Sequence, residues 1–526
     1  MSFPLMGVET EYAISGFDAA GSAVGSGALA EAMLRTAFRN LRGIPAHHGR
    51  GLFIENGGMF YIDAGAHPEF CTPECDDPLD VVRYIRAGER IVRGLAEELR
   101  GEGASARRVF LTKGNIDYSG SKNTWGCHES YGYQCRPGLM AEQIAPHLVS
   151  RIVFTGAGGF DPHSAGIVFS LSPRVYYLER GSSEVARGRA IVHRKNEPLS
   201  AGFNRLHLVC GESLSSDLAS WLKIGTTALV VALIDRGLSP AARAAPLTPY
   251  RAMKAFAKDP TCRVSVPTRS GRETAISLQR RFLEAAEAHL GDGTLPPWAG
   301  KLCAAWRRVL DDLEADPARL SASLDWAIKR SLYEHRAREA GIDLDSISVW
   351  NTVLPRLMHT VRSSPFRGRR VLVEEVLAPT APEPVRDFVE KSAPLLRRHG
   401  TRWEDLRPLV DLRRELFEIE TRFPELSDEG IFAALDRAGV LRHRVPDLGD
   451  VDRALHEPPE RGRARIRGRE VRRLAGEPRN GYLCDWDRIG DIRRRQVLDL
   501  SDPYAESAEW KPIGEAPPER IRLFPF

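Results

Sequence analysis

Hydrophobic and polar residues alternate in short runs through the first 230 residues, at 8–14, 59–62, 109–112, 166–171, 175–178 and 206–210. A period of two predicts strands with one buried face, and the turns between the runs predict a mainly antiparallel sheet. Apolar residues recur instead every three or four positions at 29–40, 78–100 and 217–236, which predicts helices. From about 275 the pattern is mostly helical, as at 323–340, where Leu324, Ile328 and Leu332 fall on one stripe. The expected class is α+β, a large sheet backed by helices.

Prolines at 355, 365, 379, 382, 384 and 408 interrupt the pattern between about 342 and 408, which reads as an insertion or linker. Helices are expected near 409–422 and 428–438, followed by a compact region carrying Cys484-Asp485-Trp486. The division that follows is a larger domain over 1–424 and a small C-terminal domain over 425–526. No internal repeat is visible.

Composition is that of an ordinary globular chain, 42% hydrophobic and 27% charged, with no continuous apolar run of bilayer length. No membrane association is expected, and the N-terminus lacks the basic start and apolar core of a secretory signal. With 74 basic and 70 acidic residues, the net charge of +4 gives no bulk argument for nucleic acid. The stretch from Arg461 to Arg469 carries five arginines in nine residues and reads either as a solvated basic loop or as a patch for an acidic partner. Eight cysteines without a signal point to a reducing cytoplasm. His67, Cys71, Cys75, Cys127, His128 and Cys135 lack the paired spacing of a structural zinc site, so partly buried thiols beside a carboxylate site are expected.

The chemistry concentrates where carboxylates repeat on strands. In Gly7-Val8-Glu9-Thr10-Glu11-Tyr12 the two glutamates share a face, and their repulsion is relieved either by a hard cation or by solvent. Alternation likewise puts Met59, Tyr61 and Asp63 on one face. Glu69 and Glu74 follow, making five acids with Glu9, Glu11 and Asp63, a set suited to magnesium on nucleotide phosphates. The segment from Lys113 to Tyr131, which mixes glycines with His128 and Glu129, reads by itself as a loop with a capping histidine. Arg205 and His207 share a strand face, where Arg205 is either a phosphate clamp or a structural ion pair.

Together, Met6–Tyr12, Tyr61–Glu69, Gly126–Tyr131, Arg205–His207, Leu222–Val230 and Asp485-Trp486 resemble, in this order, the Pup ligase and depupylase family of glutamine-synthetase-like carboxylate-amine ligases. The resemblance implies a large sheet domain with a small C-terminal domain that uses ATP and Mg2+. It also implies two protein partners, a small disordered ubiquitin-like (Pup-like) modifier and lysine-bearing targets. The modifier's terminal glutamate is phosphorylated on its γ-carboxylate and attacked by the lysine. Residue by residue, it implies Glu9, Tyr61 and Glu69 as magnesium ligands, with Glu11 their companion, Asp63 as catalytic base, and Thr72 and Trp486 as ATP contacts.

Two positions depart from the family pattern. Met59 stands where the family has an ATP-contacting arginine, and Lys195-Asn196-Glu197-Pro198-Leu199 lacks an acid and a histidine that the family carries. Only 44 residues separate Glu11 from Asn56, too few for the long loop of the depupylase branch, so a ligase is expected and a depupylase or deamidase is the alternative. A noncatalytic modifier-binding regulator is the reading from outside enzymology, and Met59 is what favours it.

Overall fold

The computed structural model describes residues 3–513 apart from 64, 101–105, 119–122, 161–166, 184–188, 194–201, 345–377, 379–382, 399, 401 and 477–480. Its centre is a nine-stranded sheet in the order Arg180–Ser183, Ala190–His193, Asn204–Leu208, Cys127–Tyr133, Met6–Glu11, Pro68–Cys71, Met59–Ile62, Gly51–Ile54, Gly43–Pro45. Every pairing is antiparallel except the one between Arg180–Ser183 and Ala190–His193.

One face of this sheet is apolar because alternate residues of its strands, among them Val8, Tyr131, Leu206 and Leu208, are large and buried. Helices cover it. Pro78–Glu97 starts at Asp77, whose carboxylate accepts from Leu79 N–H (2.8 Å), with Pro78 preset for the first turn. Gly88 lets this helix lie flat on the sheet: a Cβ there would stand 2.2 Å from the ring of Phe70. Asp217–Asp235, capped by Ser216, is apolar all round, as a helix enclosed on every side must be. It is long and apolar enough to cross a membrane, yet nearly all of it lies inside the core. Pro137–Ser150, Ala275–Glu287 and Ala299–Ala315 pack around it.

The expected α+β class is the observed one, with local corrections. The 8–14 run is two strands, Met6–Glu11 and Ala13–Phe17, and the second leaves the large sheet to pair with Arg108–Thr112. Residues 175–178 lie in and after a 3-10 helix, Pro173–Tyr177, rather than in a strand, because Pro173 sets its first turn. Of the described residues 167–171, only Phe169–Ser170 is strand. The end of the expected capping-histidine loop, with His128 itself, is the strand Cys127–Tyr133.

The basic stretch at 461–469 is no solvated loop: it lies in the helix Gly462–Leu474, and Arg463 and Arg467 are buried. That helix and the four-stranded meander Tyr482–Asp485, Arg488–Asp491, Gln496–Asp499, Trp510–Pro512 sit against the end of the large sheet. Val471, Leu474, Cys484, Ile489 and Leu498 share a core with Ile44, Phe53, Met59 and Cys71, and His47 N–H donates to the Cys484 carbonyl (2.9 Å). The segments 345–377 and 379–382, within the proline-punctuated stretch, lie outside the described residues, as does Lys195–Leu199.

Candidate active site

The face of the sheet opposite the helices carries the acids, its far end covered by the C-terminal meander, and strand register brings them together. Glu11 pairs with Glu69, Glu69 with Tyr61, Glu9 with Cys71 and with His128, and Ser130 with His207. Direct cross-strand partners stand about 5 Å apart, so Glu9, Glu11, Glu69 and Tyr61 form one patch. Asp63 lies one residue past its strand, in the turn before Pro68–Cys71, where its backbone N–H donates to the His67 carbonyl (3.1 Å) and its Oδ1 accepts from His67 N–H (2.8 Å).

Charge in this patch is uneven. Burial opposes ionisation of Glu9, but Arg205, His128 and His207 outweigh it and hold the carboxyl well below the ordinary range. Arg205 Nη2 donates to Glu9 Oε1 (2.5 Å) and its Nε to Ser130 Oγ (3.0 Å). Glu11 is likewise held down against burial by His67, His128, a hydrogen bond from the Gly126 backbone N–H and Arg174. At Glu69 the balance reverses: burial at 2% exposure and the facing charges of Glu9 and Glu11 outweigh a hydrogen bond from Tyr61 and push its carboxyl well above the ordinary glutamate range, and its Oε1 has no hydrogen-bond partner. A buried carboxylate with an orphaned oxygen beside two ionised neighbours fits a hard cation, which would satisfy the oxygen and favour the charged form.

Two clusters hold ligand-type atoms within 4.8 Å of one another, Glu9 with His128 and His207, and Glu11 with Asp63 and His67. Three of these six residues are histidines, of which sequence reasoning weighed His67 and His128 only for a structural zinc site and gave His207 no ligand role. His128 and His207 occupy site-face positions once register is known, their rings 5.2 Å apart. The signal available beforehand was the pair of two-residue spacings, His128 with Ser130 and Arg205 with His207. Gly126 keeps this end open, since a Cβ there would lie 2.4 Å from His128 Nε2 and 2.8 Å from Glu11 Oε1.

Next to the acids is a cleft lined by Gly7, Thr72, Arg205, Phe203, Trp486 and Tyr504 among others. Thr72 Oγ1 accepts from Val8 N–H (3.0 Å), which fixes it at the cleft floor. Trp486, from the C-terminal meander, stands edge-on to Phe53 (5.1 Å between centroids) with the Arg467 guanidinium 4.8 Å from its ring. Arg205 therefore touches both acids and cleft, while Trp486 reaches the cleft from a distant part of the chain.

Glu74 does not join the ligand set. Arg463 Nε donates to it (2.7 Å) and Arg467 forms a second close pair, so that, against burial, its carboxyl is held down to about 2. Met59 faces the same side as Glu9 but is buried under the C-terminal meander at 5% exposure, where it packs with Phe53 and Cys484. Cys71, Cys75 and Cys127 are buried free thiols, and neither ligand cluster among the described residues contains a cysteine.

A large, mostly antiparallel sheet with clustered carboxylates on one face, beside a cleft closed by a small C-terminal sheet, is the arrangement that the resemblance to carboxylate-amine ligases implies. The family described as Pup-ligase protein matches residues 4–353 and 392–490, and the chain belongs to that family. The Pup–protein ligase of Corynebacterium jeikeium is 32% identical over 530 residues, covering 96% of each chain. That of Acidimicrobium ferrooxidans is 31% identical over 473 residues, covering 87% of this chain and 88% of its own. A solved complex between the prokaryotic ubiquitin-like protein Pup and its ligase PafA shares the fold with a TM-score of 0.72 at 21% identity, covering 96% of this chain and 90% of that one. PafA in complex with ADP superposes with a TM-score of 0.65 at 22% identity, covering 87% and 88%.

Proposed function

We propose that this chain is an ATP-dependent ligase that joins the terminal glutamate side chain of a Pup-like modifier to lysines of target proteins. Family membership and the relatives' shared activity support the reaction, and the solved complexes with Pup and with ADP support the modifier and the nucleotide as its partners. The observation in the molecule that carries the reading is the electrostatic imbalance at Glu69, a buried acid suited to cation binding that faces Glu9, which in turn lines a cleft suited to a nucleotide.

Glu9, Glu69 and Tyr61, with Glu11 beside them, would hold Mg2+, which supplies neutralisation of phosphate charge. Thr72 and Trp486 bind the nucleotide, and Arg205 offers its guanidinium to phosphate oxygens at the junction of cleft and acids. The modifier's γ-carboxylate attacks the terminal phosphorus of ATP, giving a γ-glutamyl phosphate and ADP. Asp63 accepts a proton from the target ammonium; the freed amine attacks the γ-carbon, the carbon–oxygen bond to phosphate breaks, and phosphate leaves as the second amine proton is released. All eight cysteines are free thiols, which supports a cytoplasmic setting.

The test is to incubate the chain with ATP, magnesium, a glutamate-terminated Pup and a lysine-bearing target. A conjugate heavier than target by the modifier less one water is expected. Cleavage of preformed conjugate without formation of new conjugate overturns the ligase reading.

A further inference from the structure

Neither the ligand set nor the base assignment uses the side chain of His67, although it sits between the acids of both. Its Nδ1 lies 3.3 Å from Glu11 Oε2 and 3.7 Å from Asp63 Oδ2, is buried, and makes no directed hydrogen bond to either. The backbone of the same residue is committed to Asp63 twice, donating to its Oδ1 (2.8 Å) and accepting from its N–H (3.1 Å). Ala66 closes this turn with φ +60°, a left-handed conformation that a residue with a Cβ rarely adopts. Behind the imidazole stands Trp125, with ring centroids 5.9 Å apart. Trp125 is itself fixed: its carbonyl accepts from Asn115 Nδ2 (2.9 Å) and Arg174 Nη1 (2.7 Å), and its N–H donates to the Asn115 carbonyl (3.1 Å).

This geometry matters because Asp63 has two possible fates. Its carboxylate is close enough to Glu11 to join a cation's shell, and a carboxylate bound to a cation is a poor proton acceptor. Turned away, it is a base. We propose that His67, braced on Trp125, is a positioning residue that keeps the Asp63 carboxylate aimed at the incoming ammonium and out of the cation's shell. The imidazole fills the space between Glu11 and Asp63, and the doubly hydrogen-bonded turn limits the directions in which Asp63 can point. The inference rests on the reading of Asp63 as the base that deprotonates lysine.

The test compares two acceptors, a target lysine, which must lose a proton, and hydroxylamine, which is uncharged at neutral pH and captures the γ-glutamyl phosphate as a hydroxamate without a base. With ATP, magnesium and Pup, His67→Ala is expected to lower lysine conjugation by about 10- to 100-fold, the scale of a misplaced catalytic group. Hydroxamate formation and the magnesium requirement should stay within about threefold of the parent. His67→Asn, whose amide nitrogen stands near the place of Nδ1, should recover most of the lysine rate and carries the comparison if the alanine variant does not fold. Unchanged lysine conjugation in both variants overturns the proposal. A parallel loss of hydroxamate with a raised magnesium requirement also overturns it, since that marks His67 as a cation ligand. If the parent enzyme itself forms no hydroxamate, the acyl-phosphate reading fails first and the role of His67 falls with it.

Discussion

Glu69 is the residue at which structure and chemistry are most tightly joined. Burial, Glu9 and Glu11 raise its pKa above the ordinary value of 4.5, so the folded cation-free protein holds a proton that the unfolded chain has released. The folded state then binds more protons, and this group's contribution to stability falls as pH rises from 4.5 through the raised pKa. Glu69→Gln, which keeps the shape and cannot ionise, should therefore raise the melting temperature of the metal-free protein at neutral pH while abolishing turnover; an unchanged or lowered melting temperature contradicts the account. Magnesium binding should displace the same proton, so apparent affinity should rise with pH across this range. Calorimetry in buffers of different ionisation enthalpy reads that proton directly. Asp63→Asn should leave hydroxamate formation intact and reduce lysine conjugation by about 10²- to 10⁴-fold, the usual worth of a general base.

At the scale of elements, strands were legible where one face meets water and the other the core. Met6–Glu11 alternates cleanly between buried and half-buried residues, and the shared face of Glu9 and Glu11 follows from that period. Register was not legible, because the partner of a strand is set by tertiary packing and not by its own pattern. Hence Glu69 opposite Glu11 and His128 opposite Glu9 came only with the structure. The helix Gly462–Leu474 was missed for a related reason: its arginines look solvated in sequence, yet Arg463 and Arg467 point inward at Glu74. Arg467 also donates to the Gly57 carbonyl (2.8 Å), tying this helix to the turn before Met59–Ile62. Arg467→Met strands Glu74 without its main partner and should cost about 3–5 kcal/mol, read as a lowered denaturation midpoint. The Glu74 contribution is present above its ordinary value of 4.5 and lost as pH falls toward about 2. Acid should accordingly narrow the gap between parent and variant, and an equal gap at all pH values would argue against the pair.

At the scale of the whole molecule, the candidate site is assembled from both ends of the chain. The acids come from strands within the first 71 residues, Arg205 from a strand midway, and Trp486 from the C-terminal meander. Met59 is covered by that meander, so its side chain serves the junction between the two parts. Trp486→Ala removes an aromatic wall and should raise the KM for ATP about tenfold with little change in kcat; an unchanged KM would place the nucleotide elsewhere. The central claim is that ATP activates the modifier's own carboxylate. It is tested most directly with a modifier whose terminal γ-carboxylate carries oxygen-18, by mass analysis of the phosphate released during conjugation. One labelled oxygen in phosphate for each isopeptide bond formed is the predicted result; unlabelled phosphate accompanying the same conjugate would contradict it.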